Sequence, residues 1–414
     1  MTTATDNSPI YKPGKTTICV VGLGYIGLPT ASVLATKGYQ VYGTDVRTDV
    51  VATINQGKIH IKEPDLDILV RSAVNSGQLR AGHEPQPADV FILCVPTPIR
   101  PDHSPDLTYV EQACQAIRDH VRPGNLIILE STSPPRTTED LVVPMAIPEG
   151  MKVGEDVFVA HCPERVLPGR ILLEVVQNDR VVGGVTPRCT DRALRFYTSF
   201  VNGDVLPTNS TAAEVTKLVE NSYRDVNIAF ANELSILADQ LGIDAWEIIE
   251  LANRHPRVNI LSPGPGVGGH CISVDPWFLV HAQPDLTPLI RTAREVNDRK
   301  PSHVVRHVTE LAKQFSEPRI GCLGLTYKAD VDDLRESPSL EIVRALRETR
   351  VGEVLPCDPL VSSERFQEFA LYSLEYLLEN ANILVLLTDH KAFKNVPPKV
   401  RQERVVVDTR GVWR

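Results

Sequence analysis

The 414-residue chain lacks three features that would direct its reading elsewhere. It has no CxxC pair: Cys19, Cys94, Cys114, Cys162, Cys189, Cys271, Cys322 and Cys357 are scattered, and five of them sit in or beside apolar runs such as CVVGLG and ILCVP. Scattered thiols of this kind argue against a disulfide framework and for a reduced, cytoplasmic protein, and no metal site is expected. It has no apolar run long enough to span a bilayer, and the N-terminal MTTATDNSPIYKPGKTT has no apolar core of the secretory type, so no membrane insertion is expected. Residues 1–14 read as a flexible arm. Nor is there an excess of positive charge: 43 Lys and Arg stand against 52 Asp and Glu, for a net charge of -9. That argues against nucleic acid as a partner, but not against small anionic ligands, which local arginines, lysines and helix N-termini can hold.

What the chain does have is alternation. The β-branched run TTICVV (16–21) leads into a glycine-rich turn, a small-residue helical stretch and a second strand, YQVYGTDV. Apolar strands recur at 90–97, 125–132, 157–164 and 179–184, with helical patterns between most of them. Continuous apolar strands joined by helices imply a doubly wound parallel sheet. From Thr211 to about Leu241 there is neither glycine nor proline, which predicts a helix of ~45 Å. It is long enough to join two domains and offer a dimer face, although part of it must serve ordinary core packing. Strand–helix alternation resumes with strands at 319–326, 352–359, 382–389 and 404–411. The expected fold is therefore α/β: two Rossmann-like doubly wound parallel-sheet domains joined by a long central helix and a helical middle domain. The expected parts are 15–205, 206–305 and 306–414.

Gly22-Leu23-Gly24-Tyr25-Ile26-Gly27 is a GxGxxG placed between a strand and a helix, and Asp45 ends the next strand about 20 residues on. Gly22 permits the tight turn, Gly24 lets a pyrophosphate approach the backbone, and Gly27 lets the helix pack on the strand. A carboxylate at Asp45 suits a ribose 2'-hydroxyl and disfavours a 2'-phosphate, so NAD is expected, with Arg47 nearby as a complication. Cys271 differs from the other thiols because it follows the glycine- and proline-rich SPGPGVGGHC. Such a loop closes around a ligand, but on these residues alone a nucleophile and a plain loop cysteine stand level. Lys217 and Asn221 share a helix face at i,i+4, and Asn227 and Asn232 lie further along. Polar helix residues are usually solvated, so these are weaker signals of a site. Residues 328–338, KADVDDLRESP, follow a strand and precede a helix, where doubly wound sheets bind ligands; a solvated charged loop reads equally well.

Taken together, VVGLGYIGLPTA, CVPTP, LESTSPP, HCPERVLPG, TKLVENSYRDVNIAFANEL, NRHPRVNILSPGPGVGGHCISVDPWF, TYKADVDDLRESPS and VVDTRGVWR resemble the UDP-glucose/GDP-mannose dehydrogenase family over nearly the whole chain. The stretches HCPERVLPG, HPRVNIL and GGHCISVDPWF are most similar to the branch acting on UDP-N-acetyl-D-mannosamine. The resemblance implies an NAD-dependent, four-electron oxidation of a nucleotide-sugar C6 alcohol to a carboxylate, for surface polysaccharide synthesis. It makes Cys271 the covalent nucleophile, with Lys217, Asn221, Asp275 and Glu164 as catalytic partners. The alcohol base is then Lys217 or a water held by Asp275, and the water that cleaves the thioester is oriented by Glu164 or Asp275. Gly22, Gly24, Tyr25, Ile26, Gly27, Asp45, Thr97, Thr132 and Arg335 fall on cofactor positions. Arg165, Val166, Lys217, Asn221, Arg257, Gly268 and Lys328 fall on substrate positions for a UDP-sugar, Arg257 reaching across a homodimer in relatives. One departure stands out: relatives usually have glycine where this chain has Arg136, which either reshapes that loop or points to solvent.

Overall fold

The computed structural model describes residues 10–167, 169–364 and 366–414, in two compact units, 1–219 and 220–414. The first unit is built on eight strands: β1 Thr17–Val21, β2 Gln40–Thr44, β3 Leu79–Gly82, β4 Val90–Leu93, β5 Leu126–Leu129, β6 Phe158–His161, β7 Arg180–Gly184 and β8 Val205–Asn209. Their order is β3-β2-β1-β4-β5-β6-β7-β8, and every pairing is parallel except β6–β7. All four residues of β4 and of β5 are buried, as a strand covered on both faces requires. Side chains alternate strictly between two apolar layers. Ile18, Val20, Val90, Ile92, Leu126 and Ile128 join the layer holding Leu28, Leu34 and Phe196. Cys19, Val21, Phe91, Leu93, Ile127 and Leu129 join the layer holding Val110, Ile117 and Val142.

The antiparallel β6–β7 pair departs from the all-parallel expectation. After β6 the chain turns back along the same strand instead of crossing the sheet, with Ala160 facing Gly184 and His161 facing Gly183. The sheet also extends through Asn209, so the domain edge expected at 205 falls inside its last strand. Of the arm expected over 1–14, residues 1–9 lie outside the described residues. Tyr11 is buried, its ring edge-on to Phe196 at 5.4 Å, and the Gly14 N–H donates to Gly38 O at 2.8 Å. Residues 11–14 are thus tied down rather than loose.

The long helix, Ser210–Leu241, begins in the first unit and continues into the second. The second unit adds helices Ala245–Ala252, Asp275–Ala282, Pro288–Ala312 and Pro338–Thr349 around four parallel strands. These are β9 Arg319–Leu323, β10 Glu353–Cys357, β11 Ile383–Leu386 and β12 Val405–Asp408, in the order β10-β9-β11-β12. The helical middle and the second sheet share one unit because Val304, Val308 and Ala312 of the Pro288–Ala312 helix enter the core layer of Ile320, Cys322 and Leu340.

Candidate active site

In the first unit, the turn after β1 is built as the spacing requires. Gly22 sits at φ +91° and donates to Thr44 O at 2.8 Å; a Cβ on Gly27 would lie 1.8 Å from Gly22 O. Neither position accepts a side chain. A Cβ on Gly24 would meet nothing within 4 Å, which leaves that backbone open at the start of the Gly27–Thr36 helix. Tyr25 is exposed and Ile26 half-buried beside it. Asp45 Oδ2 accepts from Leu23 N at 3.0 Å and Oδ1 from Arg47 N at 2.9 Å, so its carboxylate is aimed at the turn. The Arg47 side chain is committed to Asp49, which removes it as an obstacle to a 2'-hydroxyl ligand. An open helix N-terminus and an oriented acid on the next strand fit a dinucleotide.

Thr97 and Thr132 lie on the loops after β4 and β5, and Thr97 Oγ1 donates to Thr132 O at 2.6 Å, joining the two loops. Arg136 adopts φ +72°, the backbone shape that glycine takes most easily. Its N–H donates to Glu214 Oε2 at 2.6 Å, while its exposed side chain pairs with Asp140 and Glu139. Glu214, on the long helix, also accepts from Thr138 N and Oγ1 at 2.7 and 2.6 Å. In return Glu139 accepts from Ser210 Oγ at 2.7 Å. Burial pushes the Glu214 carboxyl up to about 7, against those donors.

Glu164 follows β6, buried; its Oε1 accepts from Arg165 N at 2.7 Å and its Oε2 from Arg180 Nη1 at 2.8 Å. Arg165 and Val166 are half-buried on the same loop, Val166 against the core and Arg165 Nη1 donating to Asp179 O at 3.2 Å.

In the second unit, Cys271 is the one exposed thiol of the eight, and none is disulfide-bonded. Burial pushes Cys19 up to about 11 and Cys322 up to about 12, so these are inert. Cys271 ends the glycine-rich loop one turn before Asp275, and its carbonyl accepts the Asp275 N–H at 2.8 Å. Asp275, buried at the start of its helix, accepts from Asn221 Nδ2 at 2.5 Å. Residues 54 apart in sequence are thereby joined beside the thiol. Lys217 stands one turn before Asn221 on the same helix and is half-buried. Below the loop lies a buried polar lattice: Asn232 Oδ1 accepts Gly264 N at 2.8 Å, Asn232 Nδ2 donates to Asn297, Asn297 Nδ2 donates to Asp225, and Arg294 Nη1 donates to Asp225 at 2.5 Å. Asn232 is thus a strut of the loop, whereas Asn227 Nδ2 donates within its own helix, to Tyr223 O.

Gly268 brings this loop against the segment after β9: a Cβ there would lie 2.4 Å from Glu336 O and 2.8 Å from Tyr327 Cβ. The KADVDDLRESP segment is therefore part of the same site, with Lys328 half-buried. Asp330 and Glu336 hold positive φ there, strain of the kind concentrated at ligand loops. Arg335 is exposed and forks onto Asp333; partial desolvation and then Arg335 lower the pKa of His270, favouring a neutral ring. Arg257 lies elsewhere, in an exposed turn closed by Asn253 Oδ1 accepting Ile260 N at 2.7 Å; no hydrogen bond joins it to the Cys271 loop among the described residues.

Sequence reasoning missed Arg410, at the carboxyl end of β12. It forks onto Asp389 at 2.9–3.0 Å and would lie 2.7 Å from a Cβ on Gly264, so its guanidinium borders the glycine-rich loop. It also missed Glu130, Arg180 and Glu214. A charged residue abutting a buried apolar strand, as in LIILE and RVVGG, is the signal that marks the first two.

Comparison with known proteins agrees with this geometry. Profiles of the UDP-glucose/GDP-mannose dehydrogenase family match the chain at 16–201 (NAD binding domain), 211–299 (central domain) and 321–414 (UDP binding domain). An NDP-N-acetyl-D-galactosaminuronic acid dehydrogenase of Ralstonia solanacearum is 53% identical, over 96% of each chain. A UDP-N-acetyl-D-mannosamine dehydrogenase of Yersinia pestis is 50% identical over 96% of this chain and 99% of its own. The solved UDP-N-acetyl-mannosamine dehydrogenase of Staphylococcus aureus superposes with a TM-score of 0.88 at 42% identity, covering 96% and 95% of the two chains. The chain, an NAD-binding oxidoreductase, belongs to the UDP-glucose/GDP-mannose dehydrogenase family.

Proposed function

We propose that the enzyme oxidises the C6 hydroxymethyl group of UDP-N-acetyl-D-mannosamine to the carboxylate, in two steps, through a thioester on Cys271. The observation that carries this is the exposed Cys271 thiol held one turn from the buried Asn221–Asp275 pair, on a loop closed against the segment after β9. NAD, when bound, accepts the hydride of each step. The alcohol proton leaves to Lys217 or to a water held by Asp275, and the Asn221 amide and Lys217 ammonium stabilise oxygen charge at C6. Cys271 adds to the aldehyde as a thiolate, retaining it as a thiohemiacetal; the second oxidation leaves the thioester. Water oriented by Glu164 or Asp275 then attacks the carbonyl, the C–S bond breaks, and the thiolate returns to Cys271.

We assign Arg410, Lys328 and the Gly268 loop to the nucleotide diphosphate, Thr97, Thr132 and Asp45 to NAD, and Arg165 and Val166 to the sugar. The mechanism needs a reduced thiol, which fits the cytoplasm, and the uronic acid formed suits surface polysaccharide synthesis. We also assign a homodimer. Val219, Tyr223, Phe230, Leu237 and Leu241 are all exposed on the long helix and, at 3.6 residues per turn, fall within about 40° of one another. A partner's copy of this stripe would cover it, and Arg257 and Arg335 would then act at the assembled site.

The 53% identity to the Ralstonia enzyme favours one second reading, the same chemistry on an N-acetylgalactosamine nucleotide. NADH release from purified enzyme with UDP-N-acetyl-D-mannosamine, UDP-N-acetyl-D-galactosamine, UDP-glucose and GDP-mannose decides between them. Turnover of the first at two NADH per acid is expected. Preference for another sugar overturns the specificity, and one NADH per product overturns the four-electron chemistry.

A further inference from the structure

The reversal of direction between β6 and β7 has a chemical result. The pairing sets Ala160 against Gly184 and His161 against Gly183; Glu164, three residues past the end of β6, and Arg180, which opens β7, lie at the matching offset in sequence and meet through their side chains. Arg180 Nη1 meets Glu164 Oε2 at 2.8 Å, with the two side chains 2% and 8% exposed. Nη2 donates to Val175 O at 3.2 Å, and the guanidinium carbon lies 5.8 Å from the centre of the Tyr197 ring. A second carboxyl, Glu130 at the end of β5, is buried nearby, but its partners are different: Tyr197 OH at 2.6 Å and Cys94 Sγ at 3.3 Å. Burial drives the Glu130 pKa up, more than Arg180 draws it down. Between these two carboxyls, the buried Arg180 guanidinium is hydrogen-bonded to Glu164, and Glu130 is left to neutral donors.

We propose that Arg180 is the positioning residue for Glu164, fixing one carboxylate oxygen so that the remaining lone pairs hold the water that cleaves the Cys271 thioester. With Oε1 on the Arg165 N–H and Oε2 on Arg180, the carboxylate has one orientation, and each oxygen keeps a lone pair for water. A planar guanidinium sets that orientation better than a flexible ammonium does. The step is the hydrolysis already described: water adds to the acyl carbon, the C–S bond breaks, and the released proton passes to Glu164 and then to solvent. In this role Arg180 is a positioning residue that acts only through Glu164.

The inference rests on the thioester reading above, and the experiment separates the two. Wild-type enzyme, Arg180→Met, Arg180→Lys and Glu164→Gln are mixed with NAD and UDP-N-acetyl-D-mannosamine. The NADH burst and the steady rate are followed, and quenched protein is weighed intact by mass spectrometry. Arg180→Met is expected to keep the burst, to slow the steady phase about 10–100-fold and to accumulate protein heavier by one acyl-nucleotide sugar on Cys271. Arg180→Lys is expected to recover part of the rate while remaining several-fold slow. A loss of burst and steady rate in equal measure, or an unslowed steady phase in Arg180→Lys and Arg180→Met, overturns the proposal. Should Arg180→Met not fold, as judged by its melting curve and NAD binding, Arg180→Lys decides alone, an unslowed steady phase counting against it. If Glu164→Gln hydrolyses normally with no adduct, the role given to Glu164 fails. If it accumulates adduct and neither Arg180 variant does, only the role given to Arg180 fails.

Discussion

After β1 the chain turns at Gly22, after β9 it turns at Gly324, and the two turns are wired alike. Their φ values are +91° and +96°; each glycine N–H donates across to the neighbouring strand at 2.8 Å, to Thr44 O and Cys357 O. The next residue, Leu23 or Leu325, donates its N–H to an aspartate that ends that strand, Asp45 at 3.0 Å or Asp358 at 2.7 Å. There the likeness stops. Asp45 is half-exposed and faces an open helix N-terminus. Asp358 is sealed: Thr326 N, Leu360 N and His390 Nε2 close on it, and His390 Nδ1 accepts the Asp330 N–H at 2.9 Å, which puts the ring proton on Nε2. One local design leaves its acid open in the first unit and staples a loop with it in the second. The second unit, which matches the family's UDP binding domain, has no such open turn, and under the proposed function the glycine-rich loop, Lys328 and Arg410 take the nucleotide there while Cys271 supplies the thiol.

The largest test of this division removes that thiol. Cys271→Ala should abolish acid formation, and Cys271→Ser should leave at most a slow ester, while NAD affinity by fluorescence titration stays unchanged. Near wild-type uronate production in Cys271→Ala ends the covalent scheme. Next, the two aspartates should fail in different ways. Asp358→Ala should lower stability by about 3 kcal/mol or more in urea unfolding, because several buried donors lose their acceptor. Burial raises the Asp358 carboxyl, but His390 and the Leu325 and Leu360 N–H groups hold it lower still, below 3.8. Its contribution is therefore present above about pH 4 and lost as pH falls below that, and the alanine variant should lose this acid limb. Asp45→Ala should instead raise the KM for NAD by about 10–100-fold and narrow the preference over NADP, with little effect on unfolding. Equal stability losses at the two positions would erase the distinction. The smallest effect is expected at Arg136→Gly. The glycine relieves a left-handed residue costing about 1 kcal/mol but gives up exposed, solvent-screened ion pairs, so the melting temperature should move by only a few degrees.

The first turn was legible in the sequence because its signal is local: strand, GxGxxG, helix, acid. The seal over Asp358 was not, because His390 arrives from beyond β11, 32 residues away. Among strands, β3 and β8 escaped notice. Of the four residues of β3 only Leu79 is fully buried, and β8 is an edge strand that carries Pro207 and is partly exposed throughout, so neither shows a buried run. Lys217 and Asn221 could be paired by helical spacing, whereas the contact of Asn221 with Asp275 spans 54 residues and no spacing shows it; the resemblance put both in one catalytic set but did not join them. Arg180 was visible only as the head of a strand. Its partner depends on the direction in which β7 runs, which no residue pattern within β7 encodes.

The contrast among the thiols has a practical corollary. With six cysteines buried, Cys94 half-covered and bonded to Glu130, and Cys271 at the surface, the molecule sorts its own sulfur by reactivity. If Cys271 is the nucleophile as proposed, a stoichiometric alkylating reagent becomes an active-site titrant: label incorporated per chain should count competent enzyme, and bound UDP-sugar should protect the counted position.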